Sequence, residues 1–355
     1  AGYRRSEEGG AHKVVTVSIE ELYDQFAYGI KTHPLSIRNF TNYAVDNWTI
    51  NPEYMLLVGK SIDYKDIALD PFNNYQECLI PSYGSPPSDN MLTAKDANNY
   101  LPQLKIGRIP ARTSAETYNY MNKVIAHEEQ QRNPACTKQE RLWMKRVLHP
   151  FQASNDIEQV YVESKVMNPL KQKIENSTFG AHSQRFAQVG VEDETNVSNE
   201  YNSMVEEGAA LVTYWGHLDA NWWWQFDSWN PSEYDSTGRF PFFAPICDHT
   251  GQIHKRLTGS SDKSQAEEYI LERRAGAIGY LGGVSFYEDF DQTKDFHIRF
   301  YDLLSNENYG KSIGTSLQQL FEDNHTNSTE EDELYLKLIA QHLTYVGDPS
   351  ICLFA

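Results

Sequence analysis

The chain has 355 residues and a formal net charge of −18, with 49 acidic residues against 31 lysines and arginines. This balance argues against a nucleic acid or an anionic lipid surface as partner, because both require concentrated positive charge. No run of 18 or more apolar residues occurs, and the first ten residues, AGYRRSEEGG, have the features of neither a signal peptide nor a membrane span. The length suits one large or two moderate α/β units.

Residues 1–51 have the pattern of the tail of an α/β unit. They contain a short apolar strand at 12–18, HKVVTVS, and then two helices, the second around Leu35–Trp48. The pattern is interrupted at Pro52. We therefore expect a domain boundary that separates residues 1–51 from residues 52–355.

Strands and helices alternate over the next part of the chain. After a strand at Tyr54–Gly59 and a long polar loop, the strand LKIGRIP leads into Thr113-Ser114-Ala115-Glu116, a capping box that starts a helix. The further predicted elements are strands at Trp143–Phe151 and Gln184–Val189 and helices at Asp156–Glu175, broken or kinked at Pro169, and Asn196–Glu207. This alternation predicts an α/β fold with a doubly wound, mostly parallel sheet flanked by helices.

Two apolar runs further on end in residues that can form a nucleophilic pair. AALVTYWGH closes on His217, and FPFFAPIC closes on Cys247. Such runs are typical of buried strands, and residues that follow parallel strands meet at the carboxyl edge of the sheet. A base such as the His217 imidazole would convert the Cys247 thiol to a nucleophilic thiolate. The alternative is structural, because a lone cysteine is usually a small buried hydrophobe and a lone histidine a satisfied polar residue.

The remainder of the chain is mainly helical. A helix at Ser264–Ala275 precedes a buried strand, AIGYLGG. Apolar residues at spacings of three and four then predict helices at Phe296–Leu304, Ser312–Phe321 and Glu331–His342.

The cysteines predict neither a disulfide framework nor a zinc site. No CxxC pair occurs, and the four lie far apart, although a bridge between the first two stays open: Cys78, Cys136, Cys247 and Cys352. A metal set can be drawn from His217, His249, His254, Cys247 and Asp219. Their spacing repeats on no face of a regular element, so we predict no metal there.

The order of several sequence blocks resembles the gingipain-like cysteine peptidases. The family patterns Tyr-x-Gly-His-Gly and Cys-x-x-Gly are compared with Tyr214-Trp215-Gly216-His217-Leu218 and Cys247-Asp248-His249-Thr250-Gly251; the second match is loose, because the glycine comes four residues after the cysteine. Further blocks follow in family order over nearly the whole chain: YMLLVG (54–59), LKIGRIPARTSAE (104–116), AEEYILERRAGAIGYLGG (266–283) and YVGDPSICL (345–353). The resemblance implies a caspase-like α/β fold and makes residues 1–51 the remnant of a smaller N-terminal α/β subdomain.

The lead-in SIEELYDQFAYGIKTHPLSIRNF (18–40) is more similar to that of the type IX secretion sortases, PorU and its relatives, than to that of the soluble gingipains. The similarity implies a peptidase or transpeptidase that removes the C-terminal signal of exported proteins. It also implies a protein or peptide substrate, outer-membrane secretion-complex proteins as partners, and the extracellular or outer-membrane surface of a bacterium as location. The alternative is a catalytically impaired relative that serves as a scaffold or cargo-docking subunit.

In the enzyme that the resemblance implies, Cys247 attacks the scissile carbonyl and His217 passes the proton to the leaving amine. The expected oxyanion donors are the N–H groups of Cys247 and Leu218. Leu218 stands where the family has glycine, so we expect its side chain to crowd the substrate. Gln152 stands near the expected place of the family's third carboxylate, and Asp156 is the acidic candidate; a dyad without a carboxylate is the alternative.

The loop between the dyad strands is rich in tryptophan. Aromatic clusters mark binding surfaces when exposed, although aromatic side chains are more often core. Three consecutive tryptophans cannot all point inward from one strand, so we predict that Trp222 or Trp223 lines a substrate cleft. Asp219 and Asp227 are candidates for recognising a basic residue at the cleavage point, the alternative being solvated loop acids.

No cofactor is expected for this chemistry. The resemblance does imply room for structural calcium, for which the polar loop between residues 60 and 99 offers carboxylates. These are Asp63, Asp66, Asp70, Asp89 and Asp96. A solvated acidic loop is the alternative.

Overall fold

The computed structural model describes residues 1–190, 195–216, 218–219, 222–223, 228–235, 238–255, 263–285, 290–327 and 337–353, with the backbone alone at 195, 218, 219, 222, 223, 290, 291 and 327. Within these residues the strands are β1 (Tyr54–Val58), β2 (Lys105–Ile109), β3 (Arg146–Ala153), β4 (His182–Val189), β5 (Leu211–Val212), β6 (Leu218–Asp219), β7 (Trp222–Trp223), β8 (Phe242–Phe243), β9 (Gly279–Gly283) and β10 (Leu343–Gly347).

The helices of the described residues connect and flank these strands. They are α1 (Gly2–Arg5), α2 (Ile19–Phe26), α3 (Leu35–Asn47), α4 (Tyr64–Leu69), α5 (Pro71–Asn74), α6 (Asn90–Thr93), α7 (Ser114–Arg132), α8 (Lys138–Arg141), α9 (Asp156–Val162), α10 (Asn168–Ile174), α11 (Thr195–Glu207), α12 (Gln265–Leu271), α13 (Phe290–Asp302) and α14 (Ile313–Asn327). A further helical segment covers 337–342. No helix in this described part is long and apolar enough to cross a membrane.

Eight strands form one sheet in the order β1-β2-β10-β9-β8-β5-β3-β4. Neighbours are parallel from β9 through β8, β5 and β3 to β4, and β1 is parallel to β2. β10 is antiparallel to β9 and joins β2 through Val346 and Arg108. The predicted mostly parallel α/β sheet is therefore confirmed, and β5 and β8, which precede the two candidate catalytic residues, lie in its interior.

The central strands are apolar because both of their faces are covered. β5, β8, β9 and β10 are buried along their whole length, and their apolar side chains belong to one continuous core. A second, smaller core cluster joins Leu22 and Ile37 from the first helices to Leu57 and Ile106 on β1 and β2. The division at residues 51 and 52 stays a prediction.

Residues 12–18 and the polar loop after β1 differ from their predicted structure. Residues 12–18 are irregular and not a strand, because their backbone finds no ladder partner among the described residues; the Val14 carbonyl accepts a hydrogen bond from the Arg5 guanidinium instead. The polar loop after β1 contains three short helices, two of which begin at the side-chain caps of Asp63 and Asp70.

The predicted break in the helix after β3 occurs one turn before its proline. α9 passes into a π-helical turn, Glu163–Met167, and α10 then begins with Pro169 in its first turn. Proline lacks the N–H that an inner helical turn needs but is tolerated at a helix start. The wide turn accommodates it without ending the helical path.

Candidate active site

The parallel pairing of β5 and β8 brings the two predicted site segments together. Beyond the two short strands Trp215 bridges Ile246, whose N–H donates to the Tyr214 carbonyl at 2.7 Å. The next residues, Gly216 and Cys247, therefore reach the same edge of the sheet, where ligands of α/β proteins bind.

Gly216 is required by the side chain beneath it. A Cβ at this position would lie 2.2 Å from the hydroxyl oxygen of Tyr214, which is fully buried. That hydroxyl makes a long hydrogen bond of 3.5 Å to Gln152 Oε1. Burial, and then the nearby Cys247 thiol, raise the pKa of Tyr214 well above its ordinary value. Tyr214 thus supports the site from below as a neutral phenol.

The Cys247 thiol is itself fully buried. Burial raises its pKa well above the ordinary value, the negative charge of Asp248 raises it further, and the Asp248 N–H offsets part of the shift. The thiol is therefore protonated at neutral pH in this arrangement. For this thiol to act as a nucleophile a base would have to remove the proton, because the described residues around it do not stabilise a preformed thiolate.

A tight turn joins Cys247 to the end of β9. Thr250 Oγ1 donates to the Cys247 carbonyl at 3.3 Å, and the Gly251 N–H donates to the last carbonyl of β9 at 2.8 Å. A Cβ on Gly251 would lie 2.5 Å from the Gly282 carbonyl oxygen, too close for any side chain. His249 has a φ of +56°, a left-handed conformation that the tight turn imposes.

The backbone around the thiol leaves an N–H for an oxyanion. Among the described residues the Cys247 N–H donates to no protein acceptor, whereas the N–H groups of Ile246 and His249 are both used. Buried N–H groups are seldom left unpaired, and an oxyanion hole requires such a donor. The second expected donor, Leu218, begins β6 and pairs through its backbone with Trp223 on β7.

Several predicted site residues fall outside what the structure describes. His217 and Asp227 lie outside the described residues. Leu218, Asp219, Trp222 and Trp223 form the backbone of a two-stranded hairpin, without described side chains. The roles predicted for these side chains stay predictions.

Gln152, and not a carboxylate, is the buried polar side chain at the end of β3. The backbone N–H of Gln152 donates to the Trp215 carbonyl at 3.0 Å, so β3 is paired here with the segment that leads to Gly216. Asp156 is exposed in the first turn of α9, which Asn155 caps. The orienting role of Asp156 stays a prediction. The sequence analysis did not predict that Tyr214 packs under Gly216. The available signal was that the two residues lie two positions apart, so that they face the same side of the strand.

Most aspartates of the polar loop have structural partners. Asp63 and Asp70 cap α4 and α5, and Asp89 accepts two hydrogen bonds of 2.6 and 2.7 Å from Arg108. Asp96 accepts from two backbone N–H groups of the following turn. Over the part of the chain that the structure describes, no three His, Cys, Asp or Glu side chains form a group that could hold a metal ion. All four cysteines are free thiols.

Comparison with known proteins was made for sequence and for fold. The model of peptidase family C25 matches residues 1–354. No curated protein matches the chain. The fold is similar to the crystal structure of the Arg-specific cysteine proteinase gingipain R (RgpB), with 15% identity, coverage of 89% of this chain and 68% of that chain, and a TM-score of 0.67.

A second solved structure, the complex of Porphyromonas gingivalis RgpB pro- and mature domains, is also similar. It has 14% identity, covers 99% of this chain and 75% of that chain, and has a TM-score of 0.72. At such identities the likeness to both structures is a likeness of fold.

Proposed function

Since the chain belongs to peptidase family C25, the gingipain-like cysteine peptidases, we propose that Cys247 is its nucleophile and His217 its base. The observation that carries the proposal is the register of β5 and β8, which brings Gly216 and Cys247 to one edge of the sheet. His217 is the next residue after Gly216. The Cys247 N–H beside the thiol, which has no acceptor among the described residues, supports the same assignment.

The protonated thiol sets the order of the steps. His217 takes the thiol proton as the sulfur attacks the scissile carbonyl, whose oxygen takes the electron pair and binds to the N–H groups of Cys247 and Leu218. The carbon–nitrogen bond then breaks, and His217 gives the proton to the leaving amine. A thioester on Cys247 remains, which water hydrolyses or a second amine converts to a new amide.

We further propose that the substrates are proteins exported by a type IX secretion system and that the bond cleaved precedes their C-terminal signal. The support is the similarity of residues 18–40 to the lead-in of PorU-like sortases. Outer-membrane secretion-complex proteins are the partners proposed with it, and the extracellular or outer-membrane surface is the proposed location. In this case release by an amine, and not by water alone, gives the product.

Hydrolysis of a peptide or fusion substrate tests the dyad. We expect Cys247→Ala and His217→Ala each to lower kcat by at least roughly a thousandfold. Cys136→Ala, which removes an exposed thiol, is the control and should keep full activity. Undiminished hydrolysis by the Cys247 variant would place the activity at another residue.

The sortase step is tested with a fusion that ends in a type IX C-terminal signal, using hydroxylamine as the amine. The wild-type protein should release a product that carries a hydroxamate at its new C-terminus. A product that carries only a free carboxylate at its new C-terminus would show that the protein hydrolyses the bond and does not transfer the chain to an amine. No cleavage of the fusion, together with cleavage of unrelated peptides, would contradict the proposed substrate.

A catalytically impaired scaffold is the second candidate. It is favoured by the burial of the Cys247 thiol with its raised pKa and by Leu218 at the place of the family's glycine. If the protein is a scaffold, the wild-type protein should hydrolyse every substrate no faster than the Cys247→Ala variant does. Its Cys247 would react with iodoacetamide only after unfolding, whereas the thiol of an enzyme reacts in the native state.

A further inference from the structure

The segment that follows Cys247 ends in a contact on a distant part of the sheet. Residues 248–254 contain no helix or strand, yet His254 is only 1% exposed. Its Nδ1 is hydrogen-bonded to Ser61 Oγ, and its carbonyl accepts the Asp63 N–H at 2.7 Å. Ser61 and Asp63 follow β1, and three strands separate β1 from β8. The segment therefore crosses the ends of those strands before it is held again.

The contact at the far end is buried and uncharged. Ser61 is fully buried, so its hydrogen bond is shielded from bulk solvent. Burial lowers the pKa of His254 to about 3; Asp89 acts in the opposite direction, and Arg108 and Lys60 act in the same direction as burial. The imidazole is neutral near pH 7, and its Nε2 has no hydrogen-bond partner among the described residues. Ser61 is the polar contact that fixes the ring.

We infer that Ser61 and His254 are positioning residues for the nucleophile. They hold the far end of the 248–254 segment, and the bond from the Gly251 N–H to β9 holds its middle. Because the segment is held at both points, the turn after Cys247 is restricted to one conformation. This restriction also fixes the positions of the Cys247 thiol and N–H. This inference rests on the proposed function of Cys247, because positioning matters for catalysis only if the thiol attacks.

The expected effect on catalysis follows from the position of the Ser61–His254 hydrogen bond, which lies away from the proposed nucleophile. Neither Ser61 nor His254 is assigned a contact with substrate, so the loss of their hydrogen bond should leave substrate binding nearly unchanged. A small displacement of a reacting atom, by contrast, strongly reduces the rate of the bound complex. We expect Ser61→Ala to lower kcat about tenfold while KM changes less than about threefold. Ser61→Thr keeps the hydroxyl and should restore kcat.

Amide hydrogen exchange gives a second readout that needs no activity. If the hydrogen bond holds the segment, Ser61→Ala should speed exchange at residues 248–254 about tenfold, the factor that one net hydrogen bond contributes. His254→Ala should do the same. Exchange in β5 and β8 should stay as in the wild-type protein, because their pairing is not altered.

Two matched controls separate positioning from general loss of stability. Ser305→Ala removes a buried hydroxyl that donates to the Lys173 carbonyl at 2.8 Å, and His127→Ala removes a buried histidine of lowered pKa on α7. Both should lower the melting temperature and leave kcat unchanged. Equal losses of kcat in Ser305→Ala and Ser61→Ala would overturn the inference.

The two proposals can fail separately. If the wild-type protein shows no hydrolysis that depends on Cys247, the proposed function fails, and the exchange data alone decide whether Ser61 and His254 fix the segment. Unchanged exchange at 248–254 in both variants overturns the positioning role whether or not the protein is active. Faster exchange confined to that segment supports it.

Discussion

At the scale of single residues, Asp248 helps to keep the Cys247 thiol protonated. Its negative charge, after burial, raises the pKa of the thiol. We predict that Asp248→Asn lowers that pKa, so that a larger fraction is thiolate at each pH and the rate–pH profile of alkylation by iodoacetamide moves to lower pH. Asp46→Asn, which removes an exposed carboxylate on α3, is the control. A profile that stays in place would mean that burial alone sets the pKa.

Leu218, which stands at the place of the family's glycine, is the second residue for which we make a prediction. We predict that Leu218→Gly raises kcat/KM on a peptide substrate, because it opens the space that the family pattern leaves free beside the oxyanion. The cost in unfolding free energy should not exceed about 1 kcal/mol, since β6 is only two residues long. Kinetics and urea unfolding of both proteins measure the two effects. An unchanged kcat/KM would show that the Leu218 side chain does not obstruct the substrate.

At the scale of elements, a buried amine closes the end of α12. Lys123 on α7 is 1% exposed, and its Nζ donates to the carbonyls of Tyr269 and Ala275 at 2.9 and 3.2 Å. Burial lowers its pKa to about 7, and Glu272 acts in the opposite direction. Between pH 7 and about 10.5 the unfolded chain therefore binds a proton that the folded protein does not.

The sign of the resulting pH dependence follows from this difference. The Lys123 contribution to the free energy of unfolding should fall as the pH is lowered from about 10 towards 7, by on the order of 1 kcal/mol per pH unit, and stay constant below 7. We predict that Lys123→Met removes this slope, which urea unfolding between pH 7.5 and 9.5 measures. Lys95→Met, on the surface, should keep it. Identical slopes in all three proteins would show that the amine is charged when buried.

The elements that could be predicted from sequence are those with local signals. The capping box at Thr113 starts α7 as expected. The strand predicted at residues 12–18 was wrong, because an apolar run forms a strand only where the edge of another strand is available to pair with it. The helices of the 60–99 loop were missed because they are only four to six residues long, too short for a periodic apolar pattern, and two of them begin at the caps of Asp63 and Asp70.

At the scale of the whole molecule, two buried runs sufficed to predict that the strands before His217 and Cys247 lie inside the sheet, because fully apolar strands occupy the interior of a parallel sheet. The Ser61–His254 contact could not be found this way. It joins residues 193 positions apart in the chain, and its hydroxyl and imidazole carry no spacing signal. Long-range polar contacts of this kind depend on strand order, which local patterns leave open.

The position of β10 determines the order in which the molecule can be completed. It lies inside the sheet between β2 and β9, yet it follows both in the chain. During synthesis the β1–β2 unit and the unit from β3 to β9 emerge first, each with an open edge that can pair with other chains.

We predict that a chain stopped after His342 shows no cooperative urea transition and binds ANS, whereas a chain that reaches Leu353 folds. A cooperative transition in the shorter chain would contradict this. The sheet, and with it the candidate site beside β9, can thus close only after residue 347 has left the ribosome.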